Sequence, residues 1–204
     1  ASSRVLGWDI SGNQPNINAA NAYRKGGMRF VYIKATEGLT YHNPSFSKQW
    51  TSTTSAGFIR GAYHFAHGKE DPVKQAQFFV AHGGKWSADG KTLPGALDLE
   101  GVNNSVCNGV TPSWVKRFSD EYHRLTKRYP VLYFSPGWWT QCMKGSTEFS
   151  KTNPLWLAAW GSNPPTKLPG GWKQLTIWQN KDTNKYGGDS DVYLHGLAQL
   201  KEFA

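Results

Sequence analysis

The chain has 204 residues, the length of a single domain that buries roughly 70% of the surface its unfolded form exposes, so neither a metal nor a dense disulfide framework is needed for folding. Lys and Arg number 23 against 14 Asp and Glu, a formal charge of +9, yet charged residues are only 18% of the chain and the basic ones form no run. That composition excludes a disordered polyelectrolyte and offers no nucleic-acid motif, and no apolar stretch approaches the about 18 residues of a membrane span.

The chain begins Ala1-Ser2-Ser3 with no basic or apolar leader, and reads as a mature N-terminus left by removal of a signal peptide. Arg4–Ile10, Phe30–Ala35, Ile59–Phe65, Leu93–Leu99 and Val131–Ser135 are apolar at nearly every position, as strands covered on both faces should be. Between them Ile17–Gly26, Pro44–Ala56, Pro72–Gly83 and Thr111–Tyr129 read as helices, the last with Thr111 as N-cap and Pro112 at the first helical position. Beyond Ser135 come strand candidates at Leu155–Trp160, Leu175–Gln179 and Val192–Leu194 with no long helix between them, then a short helix over Leu197–Phe203. Alternating strand and helix implies a parallel sheet with right-handed crossovers. Five βα units followed by three further strands supply eight, enough to close an irregular TIM-like α/β barrel as one domain over residues 1–204. An open doubly wound sheet would carry a glycine-rich phosphate loop after its first strand, and Asp9-Ile10-Ser11-Gly12-Asn13 is not one.

Cys107 and Cys142 lack the histidine spacing of a zinc site and the Cys-x-x-Cys redox pattern. Two buried free thiols are the alternative to one disulfide. The disulfide is preferred; it would close a loop of about 36 residues, stabilise by roughly 3–4 kcal/mol in the chain-entropy model, and imply an oxidising, extracellular compartment.

Active sites of α/β barrels lie at the C-terminal ends of the strands. Four of the chain's fourteen acids, Asp9, Glu37, Asp98 and Glu100, fall at or just beyond the ends of the first four predicted strands. Side chains at i and i+2 of a strand share a face, so Asp98 and Glu100 are expected about 6–7 Å apart at the barrel mouth. Mutual repulsion and partial burial would raise the proton affinity of one of them, with the longer Glu100 as proton donor. A hard-cation site needs more convergent oxygens than are visible locally, so neither metal nor cofactor is expected. Paired carboxylates beside many aromatic residues point to glycoside chemistry, and Trp138, Trp139, Trp156, Trp160 and Trp178 could wall a sugar groove. His64 reads as a hydrogen-bonded wall residue, and Lys34 with Glu37 as a pair stiffening the rim.

Six blocks carry a resemblance to glycoside hydrolase family 25, most of all to its secreted fungal lysozymes. They are Gly7-Trp8-Asp9-Ile10-Ser11 with Gln14, Phe30 to Gly38, Gly61 to Phe65, Leu97 to Glu100, Leu155 to Ala158, and Ile177 to Gln179. The resemblance implies an irregular barrel and hydrolysis of the β-1,4 bond between N-acetylmuramic acid and N-acetylglucosamine. It further implies Glu100 as general acid/base, Asp98 orienting the substrate's own 2-acetamido group as nucleophile with retention, and Asp9 in support; direct attack by Asp98 or Asp9, or inversion through water, is the rival. Tyr63 matches a tyrosine lining the cleft, and either Asp189 or Asp191 the last acid of the site. Glu37, Tyr133, Trp160 and Gln179 complete the candidate substrate-binding set. The expected partner is bacterial peptidoglycan, met by a secreted monomer whose positive charge draws it to an anionic wall; neither nucleic acid nor membrane is expected as partner. A glycan-binding barrel without catalysis is the alternative.

Overall fold

Strand side chains alternate between two faces, and that alternation divides the interior of this chain in two. A computed structural model describes residues 4–204; the expected mature N-terminus at Ala1–Ser3 lies outside them. In chain order the elements are β1 Val5–Ile10, α1 Ala19–Arg24, β2 Met28–Glu37, β3 Tyr41–His42, α2 Phe46–Ala56, β4 Ile59–Phe65 and α3 Pro72–Phe79, which runs into a π turn over Val80–Gly84. Next come β5 Ala96–Asp98, α4 Pro112–Thr126, β6 Val131–Phe134, α5 Pro136–Cys142, β7 Leu155–Ala158, β8 Ile177–Lys181, β9 Asp189–Tyr193 and α6 Leu197–Phe203.

The nine strands form one sheet in the order β1-β9-β8-β7-β6-β5-β4-β2-β3, and β1 also pairs with β2. Setting aside the two-residue β3, eight strands therefore close a barrel. The expected irregular α/β barrel is the observed fold, with five βα units before three further strands. It is not parallel throughout, because β9 runs antiparallel to both β1 and β8. Only residues 182–188 separate β8 from β9, and a connection that short makes a hairpin, whereas a parallel pairing needs a crossover of about a dozen residues or more.

Local chemistry explains several boundaries. Thr111 caps α4 as expected, its hydroxyl accepting from the Trp114 N–H at 3.2 Å, and Asn18 and Asp71 cap α1 and α3 in the same way. The fourth βα strand is shorter than Leu93–Leu99: Leu93 bonds Arg60 through an isolated bridge segment, Pro94 has no N–H to give a ladder, and pairing starts at Ala96. Strand β2 runs on to Glu37 and turns back through β3, and a fifth helix, α5, begins at Pro136. The final strand starts at Asp189 rather than Val192, which brings both Asp189 and Asp191 into the sheet.

One apolar layer, including Trp8, Ile33, Phe79, Phe118, Trp139 and Trp178, lies between barrel and helices. A second, with Val5, Phe30, Tyr32, Ile59, Ala96, Val131, Trp156, Ile177 and Tyr193, fills the barrel itself. Moving by even steps along the same strands from this plug leads to Asp9, Lys34, Tyr63, Asp98, Tyr133, Gln179 and Asp189. The inner face is thus apolar at the closed end and polar at the C-terminal ends of the parallel strands. Cys107, in the loop after β5, is bonded to Cys142 at the end of α5, as preferred from the sequence.

Candidate active site

At the polar end two adjoining cavities of about 330 and 180 Å³ share Asp9, Tyr63, Asp98, Glu100 and Asp189 in their walls. Ser11, Asn13, Gln14, Lys34, Phe65 and Asp182 extend one side; Tyr133, Trp156, Trp160 and Gln179 extend the other. Register places the acids together: Asp9 stands opposite Asp189 and Gly7 opposite Asp191 in the β1–β9 ladder, while Asp98 lies beside Tyr133. Gly188 permits this approach, because it adopts a left-handed φ of +71° and a Cβ there would fall 2.2 Å from the Asp9 carbonyl oxygen.

Asp98 is 7% exposed and ends β5; Glu100 lies just past the strand and is open to the cavity. Asp98 and Glu100 line the same two cavities, and each alters the proton affinity of the other. Burial, then the charge of Glu100, holds Asp98 well above the usual carboxylate range. Burial also raises Glu100, against the opposing influence of the neighbouring Asp98 and the charge of Lys34. The pair therefore retains a proton at a pH where an ordinary carboxylate has lost it.

A second acidic cluster faces the first. Burial, then the charge of Asp191, raises Asp9 well above its ordinary value. Burial and the Asp9 charge push Asp189 up to about 8. Asp191, 1% exposed, is pushed up by burial to about 6 and accepts from the Trp156 Nε1–H at 2.8 Å. Of the two candidates for the last acid, Asp189 lines the cavities and Asp191 lies beneath them. Tyr63 and Tyr133 are raised by burial and by the surrounding carboxylates, so both phenols stay protonated and act as donors.

Lys34 is the cation among the residues lining the cavities. Its Nζ donates to Glu37 Oε1 at 2.6 Å, and the other Glu37 oxygen lies 2.9 Å from His67 Nε2. Glu37 thus has both oxygens engaged and lines neither cavity, which corrects its assignment to substrate binding: the Lys34 ammonium stands between it and the site. The stiffening pair expected at the rim is present. His64 is buried, hydrogen-bonded to Thr36 at 2.6 Å and Gln75 at 2.9 Å, and burial lowers it to about 4; it packs behind the wall against Phe118 rather than forming it.

Of the five tryptophans expected to wall the groove, two line the cavity, Trp156 and Trp160, and only Trp160 is exposed. Trp138, Trp139, Trp156 and Trp178 are buried, whereas Trp160 is 62% exposed at the cavity edge. Gln179 is 2% exposed and meets the cavity from below. Asn13 and Asp182 were not among the sequence candidates; each follows the end of a barrel strand, β1 and β8, and the strand-end rule could have found both. Among the described residues no cluster of three or more His, Cys, Asp or Glu is arranged to hold a metal ion, and no helix is long and apolar enough to cross a membrane.

A family model described as glycosyl hydrolases family 25 matches residues 8–189. An N,O-diacetylmuramidase of Chalaropsis sp is 50% identical over 98% of this chain and 99% of its own length. An N,O-diacetylmuramidase of Arthroderma benhamiae is 49% identical over 98% of this chain and 86% of its own length. Among solved structures, a muramidase from Trichobolus zukalii superposes with a TM-score of 0.94 at 47% identity, covering 98% of each chain.

Proposed function

The chain belongs to glycosyl hydrolases family 25, and from that premise we infer that it is a muramidase, hydrolysing the β-1,4 bond between N-acetylmuramic acid and N-acetylglucosamine in bacterial peptidoglycan. The observation that carries the reading is the Asp98–Glu100 pair lining one cavity with both carboxyls raised by burial, which keeps a proton available for the leaving-group oxygen. Glu100, open to the cavity, delivers that proton and in the second half of the reaction takes one from water. The cavity and its acids favour this over a glycan-binding barrel without catalysis, since binding alone gives no reason to bury so many carboxyls together.

Asp98 and Glu100 come from the end of one strand and lie on one side of the cavity, whereas a protein nucleophile and its acid partner stand about 5–5.5 Å apart across the bond on opposite faces of the sugar. The nucleophile is then the carbonyl oxygen of the substrate's 2-acetamido group, with Asp98 hydrogen-bonded to its N–H and stabilising the cyclic cation. Asp9 and Asp189 line the floor, Tyr63 donates from the wall, and Tyr133 gives its proton to Gln179 beside them. Both fungal relatives are named N,O-diacetylmuramidases, which supports action on walls bearing O-acetylated muramic acid. The disulfide supports an extracellular location, and a cavity complete within one chain supports action as a monomer. Proton NMR of the first-formed sugar tests the stereochemistry: the β anomer is expected initially, and an α product would overturn retention.

A further inference from the structure

We propose that Gln179 is a positioning residue of the glycosidic reaction, fixing in one hydrogen-bond network the carboxylates of the cavity floor and the aromatic wall on which sugar rests. The proposal builds on the muramidase reading. Gln179 was counted from the sequence as a substrate-binding residue, but at 2% exposure it has no free polar group to offer a substrate.

Its amide has four partners from four different segments. Nε2 donates to Asp9 Oδ2 at 3.0 Å on β1 and to Asp189 Oδ2 at 3.4 Å on β9. Oε1 accepts from the Tyr133 hydroxyl at 2.8 Å on β6 and from the Trp160 indole N–H at 3.1 Å just past β7. These partners leave one amide orientation: turned over, the oxygen would face two carboxylates, and the NH₂ group would face two hydroxyl or indole donors. An ionised Asp or Glu here would lack the donors, and an apolar residue would lack both ends.

The network joins groups with separate tasks. Asp9 and Asp189 crowd two carboxyls under the reacting sugar, and two N–H donors hold their oxygens in place and offset the charge that either gains on ionising. Trp160, exposed and otherwise free to turn, is tied by its single N–H to the same amide. The plane that stacks on sugar is thereby set relative to the floor, and small misplacements of such supports are costly in rate.

The test is the pH dependence of kcat and KM for Gln179→Glu and Gln179→Met on a defined peptidoglycan fragment, with folding checked by circular dichroism. The introduced carboxyl faces Asp9 and Asp189, with Asp191 beneath, Asp98, Glu100, Tyr63 and Tyr133 around the cavity and Lys34 as its cation. While protonated it mimics the amide with one donor and one acceptor; once ionised it repels the floor. Gln179→Glu is therefore expected to keep most of its kcat at acid pH and to fall tenfold or more below wild type as pH rises, whereas Gln179→Met is expected to lose kcat at every pH with KM little changed. A kcat profile for Gln179→Glu superimposable on wild type, or losses confined to KM, would overturn the assignment. Should Gln179→Glu fail to fold, Trp160→Phe carries the test at an exposed site: the phenyl keeps a stacking face but loses the N–H, so a severalfold loss of kcat is expected beyond any change in KM, and an unchanged kcat would overturn it. Wild-type protein that fails to cleave the muramyl bond would sink the muramidase reading instead, so the two failures are distinguishable.

Discussion

Asp189 shows at single-residue scale how function and stability oppose each other here. Its carboxyl, near pKa 3.9 in an unfolded chain, is pushed up to about 8 by burial and by Asp9. A group whose affinity for protons is raised on folding contributes stability that is complete below its unfolded pKa and is lost as pH rises through its folded one. The wild-type melting temperature is therefore expected to fall between about pH 4 and pH 8. Asp189→Asn should flatten that slope and melt higher than wild type at pH 8 while losing activity. Thermal scans across that range check it; a variant that melts lower than wild type at pH 8 contradicts the assignment.

At the scale of elements, the loop after β5 carries Glu100 and then Cys107, whose bond to Cys142 anchors it to α5. The bridge spans 35 positions, so replacing both cysteines by serine is expected to cost about 3–4 kcal/mol and to lower the melting temperature by about 10 °C. Activity at room temperature should survive, since neither cysteine lines the cavity; calorimetry and a wall-clearing assay together test this. What the sequence made legible follows the same elements. Asp98 and Glu100 stood out because an apolar run ends on them, and β4 and α6 were read at their observed limits. The tryptophans misled because residue type does not distinguish a core indole from an exposed one; of the five expected in the groove, only Trp160, past the end of β7, escapes burial. The antiparallel β9 and the four-way bonding of Gln179 depend on segments far apart in the chain, and no local pattern encodes such pairings.

Across the whole molecule, a chain of net charge +9 concentrates acids at one end of its barrel: Asp9, Asp98, Glu100, Asp182 and Asp189 line one cavity. The excess of lysine and arginine over the remaining surface is expected to draw the protein to an anionic wall over long range, an attraction that salt screens. The initial rate of wall clearing is expected to fall as ionic strength rises, with less effect on small neutral fragments; equal salt dependence on both substrates contradicts electrostatic recruitment. The central claim is that the pair at the cavity mouth cleaves the muramyl bond with Glu100 as proton donor. Its most direct test is mass spectrometry of the products released from defined peptidoglycan by wild-type protein and by Glu100→Gln. Fragments with N-acetylmuramic acid at the reducing end, reduced by two or more orders of magnitude in the variant, are the predicted result; fragments ending in N-acetylglucosamine, or an equally active variant, would contradict it.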